Sequence, residues 1–183
     1  LIQSMKLSFR DIEPFVQNPD PKARVILIYG PDDGLMRERA SIIGKTVVEN
    51  LHDPFNVCVL STDILNDDPS RLNDEANAMS MMGGDRLIRI EDASDKLTQS
   101  LKEYLENPND NALVIVEAGD LTPRSSLRKL CESAKNAAAL PCYVDDERGL
   151  GQIIRKALHD EGLQIEPDAA LWLAANISCE KVP

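Results

Sequence analysis

The chain has no run of Lys and Arg, no C-x-x-C pair and no apolar stretch long enough to cross a bilayer. Each absence excludes something. Asp and Glu number 31 against 20 Lys and Arg, a net charge of −11 over 183 residues. That balance argues against a strong binder of phosphate backbones, whose affinity rests on cations neutralising phosphates. The four cysteines, Cys58, Cys131, Cys142 and Cys179, fall in no metal-binding spacing and lie far from His52 and His159. No metal site is expected from them, and reduced cysteines of a cytoplasmic protein are. No segment approaches the roughly 20 apolar residues of a membrane span. Leu1-Ile-Gln-Ser lacks the charged start and apolar core of a signal peptide. Met5-Lys-Leu reads as a natural start, with four appended residues before it. Aromatic residues make up only 4% of the chain, so the core must come from the aliphatic majority of its 43% hydrophobic content.

The most telling absence lies in Val25-Ile-Leu-Ile-Tyr-Gly30-Pro-Asp-Asp-Gly34-Leu-Met-Arg. This is a buried strand, a Gly-containing turn and a helix start, the place of a nucleotide-binding P-loop. A P-loop needs Gly, four spacers, Gly, Lys and then Ser or Thr. Counted from Gly30, those positions hold Leu35, Met36 and Arg37. No Lys reaches a phosphate and no hydroxyl holds Mg²⁺. Asp32 and Asp33 place negative charge where phosphates would lie. Gly30 and Gly34 thus mark a degenerate P-loop, with no catalytic residue and no cofactor expected.

The pattern along the chain is an alternation. A short helix is expected from Ser8, with Phe9, Ile12, Phe15 and Val16 on one face. Strands are expected at 24–29, 56–61, 86–91, 112–117 and 139–144. Between them, helices are expected at 35–51, with Leu35, Ile42, Ile43, Val47 and Leu51 as the stripe; from Asp67-Asp68-Pro69 through Leu72, Ala76 and Met79 to Gly83-Gly84; from Asp95 to Leu105; and from Thr122-Pro123 through Leu127, Leu130 and Ala134. Strands alternating with helices imply a parallel sheet with right-handed crossovers. The fold class is therefore α/β, with helices flanking the sheet. Residues 1–146 form that domain. Residues 147–183 read as the start of a helical domain too short to close its own core, so the chain reads as part of a longer protein.

The acidic pairs Asp32/Asp33, Asp67/Asp68 and Asp145/Asp146 each sit at a turn or helix start, where Asp serves as a cap. Glu117 ends an apolar strand where a strand-end NTPase acid would sit, but Val116 stands in place of the Mg²⁺-holding Asp. The methionines differ in kind. Met79, Met81 and Met82 cluster in Met79-Ser80-Met81-Met82-Gly83-Gly84. Met is flexible and polarizable, and recurs on surfaces that dock into a partner. Positions 79 and 82 can share a helix face while 81 points elsewhere. The bland alternative is that all three fill the space between helix and sheet.

These residues together resemble the delta subunit of the bacterial DNA polymerase III clamp loader. The resemblance rests on Leu27-Ile-Tyr-Gly-Pro-Asp-Asp-Gly-Leu-Met-Arg-Glu-Arg-Ala, on Ala78 to Ile90, on Leu113 to Lys129 and on Pro167-Asp-Ala-Ala-Leu-Trp-Leu-Ala. It implies an AAA+-like frame without ATPase activity, followed by the beginning of a lid domain. It implies a subunit that binds and opens the sliding clamp for loading onto primed DNA. The clamp contact of the family is an apolar pair after a Ser, usually Leu-Phe; here Ser80 is followed by Met81 and Met82, with Met79 beside them. The partners implied are the sliding clamp (beta subunit), the gamma/tau and delta prime subunits through the longer protein, and primed DNA through the complex. A cytoplasmic location follows. Two other readings stand beside it. A divergent nucleotide-binding α/β enzyme would cradle an anion on backbone N–H groups near Gly34. A purely structural AAA+-like module would bury Met81 and Met82 in its own core.

Overall fold

The computed structural model describes residues 7–78, 83–143, 154–155, 158–159 and 165–178. The chain divides into two units, Leu1–Cys142 and Tyr143–Pro183. In the second, α7 (Pro167–Ser178) buries Ala170 and Leu171 and exposes Trp172.

The first unit is built on five parallel strands, β1 (Val25–Tyr29), β2 (Val57–Ser61), β3 (Arg86–Ala93), β4 (Ala112–Ala118) and β5 (Ala137–Pro141). Their order across the sheet is β2-β3-β4-β1-β5. The continuous apolar run of β1 is explained by cover on both faces. Val25, Leu27 and Tyr29 enter one core cluster, while Ile26 and Ile28 enter the other. The first cluster packs α3 (Thr62–Asp67), α4 (Arg71–Asn77), α5 (Thr98–Glu106) and α6 (Ser126–Ser133) on one side of the sheet. The second packs α1 (Ile12–Gln17) and α2 (Asp33–Lys45) on the other. Sequential strands joined by helices on two faces give the layered α/β arrangement expected from the alternation.

Two helix expectations need correction. The stripe ending at Val47 and Leu51 predicted a helix to residue 51, but α2 stops at Lys45. Thr46 Oγ1 donates to the Ile43 carbonyl at 2.7 Å, and the Val47 and Val48 amides both return to the Gly44 carbonyl. The chain then doubles back, so that a Cβ built on Gly44 would lie 2.7 Å from the Leu51 side chain. Val47 and Leu51 are covered by this return rather than by helix continuation. Of the helix predicted from Asp67 to Gly83, the described residues form only α4, Arg71–Asn77, and a separate helix that was not expected, α3, precedes it at Thr62–Asp67. Ser61 caps α3, accepting from Ile64 N. Asp68 then accepts from Ser70 N and Oγ at the break before α4. The second helix ends at Asn77, and Ala78 is extended. Met79 lies outside the described residues.

Three arginines are part of the frame. Arg39 of α2 is buried; it donates to the Pro141 carbonyl at 2.7 Å and pairs with Glu13, tying α1 and α2 to the end of β5. Arg86 donates to the Glu75 carbonyl at 2.7 Å and to its carboxylate at 2.9 Å, tying β3 to α4. Arg128 of α6 is fully enclosed as well.

The start of α6 is held by a relay of caps. Ser125 Oγ accepts from Arg128 N and donates to Asp95 Oδ1 at 2.5 Å, and Asp95 also accepts from Leu127 N. The Ser125 bond is the chief cause holding the Asp95 carboxyl below its ordinary 3.8. A carboxyl whose pKa falls on folding adds stability that is full above the unfolded value and is lost as pH falls through the folded one. Urea unfolding of the wild type and of Asp95→Asn is therefore expected to differ most at neutral pH. The gap should close as pH drops from near 3.8 downward. A gap that stays constant into acid would refute the assignment.

Candidate functional site

The connection from β1 to α2 is three residues, Gly30, Pro31 and Asp32. Gly30 has φ +146°, and its N–H donates to the Gly119 carbonyl at 3.2 Å. The chain at Cys142 passes directly over it, its N–H donating to the Tyr29 carbonyl at 2.7 Å. A Cβ at position 30 would lie 2.1 Å from the Cys142 carbonyl oxygen. Glycine is therefore required here both by backbone angle and by space. Gly34 is different: it sits inside the first turn of α2, and a Cβ would meet only Asp32 Oδ1 at 3.4 Å. Of the two glycines read as a degenerate P-loop, only Gly30 is demanded by the geometry.

The helix N-terminus behind this turn already holds an anion of its own. Asp32 Oδ1 accepts from Leu35 N at 2.9 Å. Helix N-termini attract phosphates because their first N–H groups lack partners and carry partial positive charge. Here the capping carboxylate takes one of those groups and Asp33 adds a second negative charge in the same turn. Of the acidic pair, Asp32 is the cap, and the two carboxylates together work against the anion cradle of the nucleotide-binding alternative.

Beside the turn lies a cleft of about 450 Å³ over the ends of β3 and β4, on the α2 side. Asp33, Met36 and Arg37 reach it from α2, and Arg89, Glu91 and Glu117 from the sheet. Arg89 Nη2 stands 2.6 Å from Glu117 Oε2 and 3.5 Å from Glu91 Oε1. Glu117 is 12% exposed, so most of this pairing is shielded from water. The strand-end acid is thus committed to a guanidinium on the neighbouring strand. Arg89 was not singled out by sequence. Its role follows from the parallel register, which sets Arg89 opposite Ile115, two positions before Glu117. The rim is also irregular: the β3–β4 register shifts between Ile90 and Ala93, and Asp92 takes φ +52°. Thr62 Oγ1 donates to the Asp92 carbonyl at 3.1 Å and holds this bulge.

Met79, Ser80, Met81 and Met82 lie outside the described residues. What borders them is described. On one side α4 ends, its Ala76 carbonyl accepting from Asn109 Nδ2 at 3.0 Å. On the other, Gly83 and Gly84 take φ +73° and +94°, with nothing within 4 Å of a built Cβ. Two successive left-handed residues suit Gly alone. The α4 flank is tied to Asn109 in the loop before β4 and, through Glu75, to Arg86 at the start of β3, the strand that follows Gly83 and Gly84.

Two of the described cysteines are poor nucleophiles. Burial pushes the Cys58 thiol up to about 11 and the Cys131 thiol up to about 12. Among the described residues no group of three His, Cys, Asp or Glu is placed to hold a metal ion. Among them, too, no helix is long and apolar enough to cross a membrane.

The family model described as "DNA polymerase III, delta subunit" matches residues 26–142. The probable DNA polymerase III subunit delta of Rickettsia prowazekii is 25% identical over 158 residues, covering 85% of this chain and 46% of that protein. The chain thus spans under half the length of this curated relative. Among solved structures, the Bacillus subtilis DNA clamp loader delta protein superposes with a TM-score of 0.56 at 22% identity, over 90% of this chain and 51% of its own. A DNA polymerase III gamma subunit-related protein of Thermotoga maritima gives 0.50 at 15% identity, over 92% and 59%. At such identities these superpositions establish the fold alone: an α/β, P-loop-like frame.

Proposed function

Because this chain belongs to the DNA polymerase III delta subunit family, we propose that it serves as the clamp-gripping subunit of a clamp loader and hydrolyses no ATP itself. The observation that carries this reading is the filled phosphate position. The strand–turn–helix frame of an NTPase is present, yet Asp32 caps the helix that would cradle phosphate and Arg89 holds the strand-end Glu117. A frame so occupied contributes shape and contact in place of hydrolysis.

The grip is assigned to Met81 and Met82, with Met79 and Ser80 beside them. They sit between the end of α4 and the Gly83-Gly84 turn, a segment whose α4 root is tied through Glu75 to Arg86 at the start of β3. A rooted segment loses less conformational freedom on binding than a free one, and that lowers the cost of association. Two Met side chains inserted into an apolar pocket are worth roughly 3–6 kcal/mol by area. A nanomolar complex needs about 12 kcal/mol. The pair can anchor the contact while its neighbours supply the rest. The clamp, once gripped, is opened and passed to primed DNA within a complex that includes gamma/tau and delta prime subunits. The frame 1–146 carries the contact, and 147–183 begins the lid.

The test is binding of this chain to its own sliding clamp by surface plasmon resonance. Met81→Ala with Met82→Ala is expected to weaken binding about 100-fold, which corresponds to about 2.7 kcal/mol. Unchanged affinity in that double variant, with the fold retained by circular dichroism, would remove Met81 and Met82 from the contact.

A further inference from the structure

We propose that the outer edge of β2 is a docking strand for an extended segment of another polypeptide, one in which apolar side chains alternate with Lys or Arg. Three separate observations meet at this edge.

The first is hydrogen bonding. β2 and β5 are the two edges of the sheet. The β5 edge is closed: Ala137 to Leu140 are buried, and Pro141 has no N–H to offer. β2 carries neither Pro nor charge along Val57–Ser61, so it has none of the usual protections of an edge. Leu87 N donates to the Asn56 carbonyl, which sets the ladder with β3. In a parallel ladder the bonded residues alternate, so Cys58 and Leu60 face β3 while Val57 and Val59 present their amides outward. Val57 N is taken by the Asp53 carbonyl at 2.9 Å. Val59 is left offering its N–H and C=O away from the sheet.

The second is exposed apolar surface. Among the described residues, four large hydrophobic side chains are exposed: Phe55 (56%), Val59 (51%), Ile64 (46%) and Trp172. Three of them lie within residues 55–64, just before, within and just after this one strand. Scattered single residues would need no explanation, but a group along an open edge does.

The third is charge. Residues 46–70 carry Glu49, Asp53, Asp63, Asp67 and Asp68 and no Lys or Arg. Two cations come near in space, Arg86, which donates to the Phe55 carbonyl at 2.8 Å, and Arg71, but both are paired with Glu75, so the surplus charge of this border is negative and decides the occupant. A second copy of the chain would set this acidic stretch against itself, at a cost in repulsion. A basic, alternately apolar strand would pair with the main chain of Val59, cover Phe55 and Ile64, and meet the acids at its flanks. Strand addition of this kind draws affinity from main-chain bonds and specificity from the side chains that alternate along it.

The experiment uses the whole chain and a fluorescein-labelled peptide alternating Lys and Val. Its counterpart alternates Glu and Val. Fluorescence anisotropy is expected to give saturable binding of the Lys/Val peptide that weakens as salt is raised, and none of the Glu/Val peptide. Val59→Lys should weaken binding roughly tenfold, whereas Val59→Thr, still a strand former, should keep most of it. Hydrogen exchange at the Val59 amide should slow on binding, with Cys58 and Leu60 unaltered. Equal binding of both peptides, no binding, or exchange at Val59 that the peptide leaves unaltered would overturn the proposal. So would self-association of the chain abolished by Val59→Lys, since a second copy would then be the occupant.

Discussion

Gly30→Ala is expected to unfold this protein at a temperature about 10 °C below the wild type. The added methyl would sit 2.1 Å from the Cys142 carbonyl oxygen, 2.8 Å from its carbon and 3.0 Å from its nitrogen. All three are backbone atoms. Cys142 cannot move aside without losing its 2.7 Å bond to the Tyr29 carbonyl. The backbone angle compounds the clash, since φ +146° is open to Gly and strained for any other residue. A cost of about 4 kcal/mol follows, at the upper end for single substitutions. At roughly 2–4 °C per kcal/mol for a chain of this size, that is about 10 °C. Gly34→Ala is the internal contrast. Its Cβ meets only the Asp32 carboxylate at ordinary contact distance, inside a helix. Replacing Gly by Ala there should raise stability by about 0.5–1 kcal/mol. Thermal unfolding by circular dichroism tests both. A Gly30→Ala variant melting within about 2 °C of wild type would refute the account of this turn.

Arg128→Ala is expected to cost about 3–4 kcal/mol in urea unfolding. Arg128 is among the largest side chains fully enclosed by the fold. Its guanidinium carbon stands 4.9 Å from the centre of the Tyr29 ring. Nη1 donates to the Leu121 carbonyl at 3.0 Å, and Nε to Glu132 at 2.8 Å. A desolvated cation over an aromatic face is worth about 2 kcal/mol. A hydrogen bond involving a charged group adds about 1.5–3 kcal/mol. Truncation also leaves a cavity beneath α6 and strips a partner from the Leu121 carbonyl. Glu132 keeps some access to water and offsets part of the loss. Arg128→Met should recover the packing but not the hydrogen bond, and fall between Ala and wild type. The idea fails if Arg128→Ala lies within about 1 kcal/mol of wild type, the range of ordinary substitutions.

Both residues sit under the same strand end. Tyr29 closes β1, Gly30 turns the chain, and Arg128 packs against Tyr29 from the other face. The place of a phosphate loop is therefore closely packed on both sides.

How much of this was legible beforehand depended on the range of each interaction. The elements themselves were, because periodicity and capping act within a few residues. β1 and β4 read as strands covered on both faces, and Asp32 read as a cap. The missing Lys and hydroxyl after Gly30 were equally local, and they separated this chain from an active NTPase. Helix ends were less legible. The stripe through Val47 and Leu51 is the same whether a helix continues or the chain folds back over Gly44. The short helix α3, Thr62–Asp67, was missed altogether, since its six residues are too few to show a helical stripe.

Other features were settled only by tertiary structure. Strand order, the Arg89–Glu117 pair, the seat of Arg128 on Tyr29 and the open edge of β2 all join residues far apart in sequence. No local pattern encodes which strand lies beside which, and a one-strand change in order would alter every such pair. Sequence alone determined that this chain would form an alternating α/β frame and that its phosphate loop lacks the groups of catalysis. The tertiary structure decided what surrounds that loop: a cap from Asp32, an Arg89–Glu117 pair in the cleft beside it, and a backbone crossing at Cys142 that leaves room for glycine alone at position 30.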